Sequence, residues 1–172
     1  IQSGFTRYTP ASGTKELKEA VVRKFKRDNN LDYAPENIVI SNGAKHSLVN
    51  ALGAVLNPGD EVIIPTPCWV SYPEMVKLSD GVPVLVKASE KEGFIVTAEK
   101  IEAAITPKTR AIIINTPSNP TGMIYREEDL REIARVCVEK DIYVISDEIY
   151  EKLIYDGEKH CSVASFGDEI KK

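Results

Sequence analysis

Arg110-Ala111-Ile112-Ile113-Ile114-Asn115-Thr116-Pro117-Ser118-Asn119-Pro120-Thr121-Gly122 is the stretch that decides the fold. Its first six residues have an unbroken apolar centre, where a strand with one wet face would alternate apolar and polar. Such a strand is covered on both faces, which suits a sheet held between two layers of helices. The stretch then breaks into Asn, Ser, Thr, Gly and two prolines, residues that make turns. Polar residues that directly follow a buried parallel strand stand where open α/β sheets bind their ligands.

The same alternation runs outward in both directions. Downstream, residues 127–139 read as a helix burying Leu130, Ile133, Ala134 and Cys137, and 141–147 as a strand. Upstream, 97–105 reads as a helix, 82–86 and 61–65 as strands, and Asn57-Pro58-Gly59-Asp60 as a turn. Residues 44–56 read as a helix with Leu48, Ala51, Leu52, Val55 and Leu56 at spacings of three and four. Farther upstream, 37–41 reads as a short strand, and 14–29 as an amphipathic helix with Leu17, Ala20, Val21 and Phe25 on one face. The run from Arg23 to Asp28 is the exposed side of that helix. Five strands between helices predict a three-layer α/β/α domain with a mostly parallel sheet.

The 172 residues are enough for one domain with a core, and 42% hydrophobic with 28% charged residues is the balance of an ordinary globular protein. A net charge of -4 disfavours a nucleic-acid surface, which needs clustered positive charge. No apolar run approaches the roughly 20 residues of a membrane span. Ile1-Gln2-Ser3-Gly4 is not the start of a charged leader with an apolar stretch behind it, so no signal peptide is expected and a cytoplasmic location is. Cys68, Cys137 and Cys161 form no C-x-x-C pair and read as reduced, packed thiols. His46 and His160 are too few and too far apart in sequence to predict a metal site.

The residues after each strand converge on one edge of the sheet. Ser41-Asn42-Gly43-Ala44-Lys45 opens a helix, where close backbone approach and outward N–H groups suit a phosphate; a tight strand-to-helix turn is the alternative. The stretch is neither a G-x-x-x-x-G-K-[ST] loop nor a G-x-G-x-x-G fingerprint. Trp69, the sole tryptophan, offers either core packing or a flat surface for an aromatic ligand. Asn119, between Ser118 and Pro120, could be turn chemistry alone. Asp147 closes the last strand, either as a solvated end or as a carboxylate facing a cationic ligand. Tyr72, Tyr125 and Tyr155 are open between packing and site lining, with Tyr72 close in sequence to Trp69.

Together these segments resemble the fold-type I pyridoxal-phosphate-dependent aminotransferases of class I and II. The likeness rests on Tyr8-Thr9-Pro10 with Ser12-Gly13 and Leu17, Ser41-Asn42-Gly43-Ala44-Lys45, and Pro58-Gly59-Asp60-Glu61-Val62. It continues through Pro67-Cys68-Trp69-Val70-Ser71-Tyr72-Pro73, Asn115-Thr116-Pro117-Ser118-Asn119-Pro120-Thr121-Gly122 and Ser146-Asp147-Glu148-Ile149-Tyr150. It covers nearly the whole chain in order, and is greatest to the bacterial aspartate aminotransferase branch. The resemblance implies pyridoxal 5'-phosphate as cofactor, with Gly43, Ala44 and Lys45 around its phosphate and Trp69 stacked on its ring. It implies that Asp147 pairs with the protonated ring nitrogen, keeping the ring an electron sink. Asn119 and Tyr150 would bond the phenolic oxygen, and Trp69 and Asn119 would also lie near the substrate. Tyr8 would reach the partner subunit's cofactor, which implies a homodimer. Aspartate and 2-oxoglutarate are the expected amino-acid and 2-oxo-acid substrates.

The family's Schiff-base lysine, in a Ser-Lys motif after the next strand, has no match here. Lys171 and Lys172 stand in no such context, and the arginine that grips the substrate carboxylate is also unmatched. With no Met at position 1 and a close on Phe166-Gly167-Asp168-Glu169-Ile170-Lys171-Lys172, residues 1–172 are expected to be part of the cofactor-binding large domain. The lysine and the small domain would then lie beyond Lys172. The last strands of the family's sheet are also unmatched here, and in the family the first strand lies beside one of them. The 172 residues alone are therefore expected to be poorly stable and without transaminase activity. The alternatives are an aminotransferase for aromatic or other amino acids or a C–S lyase on the same fold, and a non-catalytic binding domain on the same scaffold. A dinucleotide-dependent dehydrogenase lacks its fingerprint and would leave Asn119, Asp147 and Tyr150 without a joint role.

Overall fold

The computed structural model describes residues 1–4 and 6–171, and Lys172 lies outside the described residues. They form two compact units, Ile1–Ser47 and Leu48–Lys172.

In the first unit, α1 (Lys15–Asn29) ends on Asn30, whose left-handed backbone (φ 53°) turns the chain. A hydrogen bond from Leu31 N–H to the Phe25 carbonyl (3.1 Å) closes that end. Phe25 leans on Tyr33, ring centroids 5.7 Å apart, but Leu17 on the same predicted face stays 46% exposed. The strand expected over 37–41 is not formed. A single 3₁₀ turn, Pro35–Asn37, runs into extended chain that joins no ladder. Alternation survives there, with Ile38 buried and Val39 65% exposed, yet the segment's backbone tie is Ile40 N–H to the Ser12 carbonyl at 3.0 Å. A β-rich run becomes a strand only when a partner strand accepts its backbone groups. Gly13, at φ +100°, lies so close that a Cβ there would meet Ile40 Cγ1 at 2.4 Å, which fixes glycine at that position.

The second unit is built on four parallel strands in the order β2-β1-β3-β4. They are β1 (Glu61–Thr66), β2 (Val82–Lys87), β3 (Thr109–Asn115) and β4 (Tyr143–Asp147). Parallel neighbours need crossovers. Helix α3 (Ser71–Leu78) joins β1 to β2, α4 (Ala98–Ala104) joins β2 to β3, and α5 (Glu127–Glu139) joins β3 to β4. Helix α2 (Ala44–Val55) precedes β1, and a short α6 (Asp168–Lys171) follows a 3₁₀ turn at Val163–Phe166. No helix among the described residues is long and apolar enough to cross a membrane.

Each central strand divides its apolar side chains between two cores, as the two-residue period of a strand requires. Ile63, Ile112 and Ile114 pack with Ile101 of α4 and Leu130, Ile133 and Cys137 of α5. Val62, Ile64, Ala111 and Ile113 pack on the other face with Leu48 and Leu52 of α2 and Tyr72, Met75 and Val76 of α3. The sheet is therefore the middle layer of α/β/α, as expected. Edge strand β2 is less covered, with Val82 and Leu85 exposed.

Candidate active site

Adjacent strands β1 and β3 send the chain to opposite faces, β1 into α3 and β3 into α5. Connections that part in this way leave a crevice at the carboxyl ends of the strands, the usual ligand position in an open α/β sheet. Trp69 follows β1, Asn119 follows β3, and Asp147 ends β4.

Asp147 is 8% exposed. Its Oδ2 accepts a hydrogen bond from the hydroxyl of Tyr72 at 2.6 Å, and its Oδ1 one from Ile149 N–H at 3.2 Å. Its carbonyl accepts from Thr116 N–H (3.2 Å) and Asn115 Nδ2 (3.0 Å). Asn115 Oδ1 in turn accepts from Asn119 N–H at 2.7 Å, so one side chain aligns the end of β4 with the loop after β3. Tyr72 is 2% exposed, and burial first, then the bond to Asp147, pushes its phenol ionisation far upward. Tyr72 therefore remains a donor at any ordinary pH. Trp69 sits edge-on to the Tyr72 ring, centroids 5.4 Å apart at 88°.

The loop between Thr116 and Tyr125 is tied across its base. Tyr125 N–H donates to Thr116 Oγ1 (3.1 Å), Ser118 N–H to the Met123 carbonyl (2.9 Å), and Gly122 N–H to the Ser118 carbonyl (2.8 Å). The buried Tyr125 hydroxyl accepts Val96 N–H at 3.2 Å, which anchors the loop to the core. Peptide bonds 66–67, 116–117 and 119–120 are cis. An open cleft of about 390 Å³ lies against this loop, lined by Pro117, Asn119, Pro120, Tyr150 and Tyr155 among others. Its size is that of a small-molecule site.

After β4 the chain is clamped by Glu148. Its Oε1 accepts from the hydroxyls of Ser146 (2.7 Å) and Ser162 (2.8 Å), and its Oε2 lies 2.8 Å from His160 Nε2. One carboxylate oxygen each of Glu148 and Glu151 and a ring nitrogen of His160 fall within 4.8 Å of one another. Both Glu148 oxygens are already engaged, so the group works as a clamp on the segment carrying Asp147 and Tyr150.

In the first unit, Gly43 (φ +86°) precedes α2, and Ala44 and Lys45 lie in its first turn. Gly43 N–H bonds the Ser41 carbonyl (2.9 Å), and Asn42 N–H donates to His46 Nδ1 (3.1 Å). The left-handed glycine bends the chain into a helix start, where backbone N–H groups face outward. Tyr8 is fully exposed.

The second unit thus brings together Trp69, Asn119, Asp147 and Tyr150, linked through Tyr72 and Asn115. Tyr8, Gly43, Ala44 and Lys45 belong to the first unit. The sequence leaves Tyr72 open between packing and the site, and it gives Asn115 and Glu148 no role. The partners that explain them are distant in sequence: 75 residues separate Tyr72 from Asp147.

A parallel sheet with a buried carboxylate at a strand end, near an indole and a polar loop, is an α/β fold with a candidate small-molecule site. The chain belongs to the family of class I and II aminotransferases, whose family model matches residues 1–171. It is 53% identical over 171 residues to an aspartate aminotransferase of Bacillus sp. (strain YM-2), covering 99% of this chain and 44% of that protein. The aspartate aminotransferase from Rhizobium meliloti superposes with a TM-score of 0.96 at 44% identity, over 99% of this chain and 43% of that one. An aromatic aminotransferase from Pyrococcus horikoshii OT3 superposes with a TM-score of 0.94 at 43% identity, over 96% of this chain and 45% of that one. The chain spans less than half the length of these relatives.

Proposed function

We propose that residues 1–172 form part of the cofactor-binding large domain of a pyridoxal 5'-phosphate-dependent aminotransferase acting on aspartate and 2-oxoglutarate. The observation that carries this reading is Asp147. A carboxylate is seldom buried without a positive partner. The described residues supply it with hydrogen-bond donors and not with a cation within ion-pair distance. A protonated pyridine nitrogen fits that need, and the aromatic face of Trp69 and the polar loop at Asn119 suit the rest of such a ring.

Pyridoxal phosphate, when bound, supplies a conjugated ring that withdraws electrons from the substrate's α-carbon. The chain's own part is to orient and to set charge. Asp147 would hold the proton on the ring nitrogen, since a carboxylate beside a pyridinium favours the charged form of both. Trp69 would cover one face of the ring and exclude water from it. Asn119 and Tyr150 would hydrogen-bond the phenolic oxygen, with Asn119 also near the substrate carboxylate. Gly43, Ala44 and Lys45 would receive the phosphate at the start of α2, and Tyr8 would serve the partner subunit of a cytoplasmic homodimer. The Schiff-base lysine and the small domain would lie beyond Lys172.

The identity to the Bacillus aspartate aminotransferase favours aspartate as donor. The likeness to the Pyrococcus enzyme supports a second reading, an aromatic amino-acid donor. The test is the protein at its natural length, with pyridoxal phosphate and 2-oxoglutarate, offered aspartate, phenylalanine or tyrosine. Turnover fastest with aspartate, and a borohydride-fixed adduct on a lysine beyond Lys172, is the expected result. A natural length of 172 residues with neither adduct nor turnover would leave a non-catalytic binding domain.

A further inference from the structure

We infer that Phe94, in the connection between β2 and α4, is a positioning residue for the two loops that carry Trp69 and Asn119. The inference rests on the reading of those loops as walls of a cofactor site. It starts from a backbone outlier. Among the described residues five other than glycine have positive φ, and four of them are Asn30, Asp80, Asp141 and Asp156. Those types tolerate the left-handed region because a short polar side chain can hydrogen-bond locally. The fifth is Phe94, at φ +59°, and a bulky aromatic side chain offers no such compensation. That conformation persists only where the surroundings impose it. They impose it from both sides. Upstream, Ala88 N–H bonds the Thr66 carbonyl at the end of β1 (2.9 Å), and Phe94 N–H bonds the Ser89 carbonyl (3.0 Å). Glu92 accepts from Ser89 N–H and Oγ (2.9 and 2.8 Å) and pairs with Lys100. Downstream, Val96 N–H is held by the Tyr125 hydroxyl at 3.2 Å. The strained ring serves neither core, since Phe94 is half-buried and belongs to neither hydrophobic cluster. It lines a small cavity of about 20 Å³ with Pro67 and Cys68, directly before Trp69, and with Ser118 and Met123, on either side of Asn119. A void of that size holds at most one water, so its walls stand close together. One ring from a third connection thus backs both loops.

Phe94 could instead do no more than shape its own turn. Two variants of the natural-length protein separate these roles, Phe94→Gly and Phe94→Asn. Both suit the left-handed backbone and remove the ring. The readouts are turnover of aspartate with 2-oxoglutarate and pyridoxal phosphate, the visible circular dichroism of the bound cofactor, and the melting temperature. A fourth needs no cofactor: the rate at which a thiol reagent modifies Cys68 relative to Cys161, read by peptide mass spectrometry. A displacement of about 1 Å far from the chemistry can cost on the order of 10²-fold in rate, so kcat should fall by roughly 10- to 100-fold. The dichroism of the cofactor should change and the Cys68 to Cys161 ratio should rise, while both variants melt close to wild type. Wild-type turnover, dichroism and labelling ratio in either variant would make Phe94 a turn residue only. If wild type itself shows neither turnover nor a bound-cofactor band, the functional reading falls, and the labelling ratio alone decides whether Phe94 holds the loop before Trp69. Should one variant fail to fold, the other decides; failure of both would assign Phe94 to stability and overturn the inference.

Discussion

Replacing Tyr125 by Phe should produce a stability loss that shrinks as the solution is made alkaline. The hydroxyl is the acceptor for Val96 N–H at 3.2 Å, and Tyr125 and Val96 are 2% and 0% exposed. Phe leaves that N–H buried without a partner, which costs on the order of 1–3 kcal/mol near pH 8. Burial, the largest influence on the phenol, pushes its ionisation from the usual 10 up to about 12. Between those values the unfolded chain has released the proton and the folded one retains it, so the unfolded state binds fewer protons. Wild-type stability therefore falls as pH rises through this window. The loss from this one group is about 1.4 kcal/mol at pH 11 and levels off near 2.7 kcal/mol above the folded value. Phe contributes no such slope, so the gap between wild type and variant should narrow by about 1.4 kcal/mol at pH 11. Urea unfolding of the natural-length proteins, followed by far-ultraviolet circular dichroism at pH 8 and 11, measures the gap. Taking the difference at each pH removes the titration of every other group. A gap that stays constant or widens would refute the argument.

Three further outcomes are expected. Burial raises the ionisation of all three thiols, that of Cys137 to about 12, so at pH 8 a thiol reagent should modify Cys68 and Cys161 first and Cys137 only on unfolding; prompt labelling of Cys137 would contradict its place in the core. Leu52→Ala empties a fully buried position beside Val62 and Ile64 and should cost about 2–5 kcal/mol in urea unfolding. Glu148→Ala strands the hydroxyls of Ser146 and Ser162 and the His160 ring, and should cost about 1–3 kcal/mol by calorimetry; a variant as stable as wild type would mean that the clamp holds nothing.

The layers of the second unit were legible because their signals are local. The apolar centre of β3 and the three-and-four spacing of α5 announce themselves within a dozen residues. Helix α3 was missed because Pro67 and Pro73 punctuate its surroundings, yet Pro73 falls in the first helical turn, where a missing N–H costs nothing. The opposite error at 37–41 has a non-local cause, since the residue types suit a strand but its existence depends on a partner. Asp147 could be singled out from its place at the end of an apolar strand. Its hydrogen-bond donor could not, because no sequence periodicity links positions 72 and 147. The same holds for Glu148 with Ser162 and His160, joined by a loop and not by a repeat.

The edge-on pairing of Trp69 with Tyr72 has an optical consequence. Trp69 is the only tryptophan among these 172 residues, so their long-wavelength fluorescence originates within one ring contact of the Asp147 carboxylate. The fold thereby carries its own label at the candidate site. Docking of α3, arrival of an absorbing ligand and loss of the Tyr72 bond can each be followed as a change in the intensity or colour of a single emitter, with no background from elsewhere in the chain.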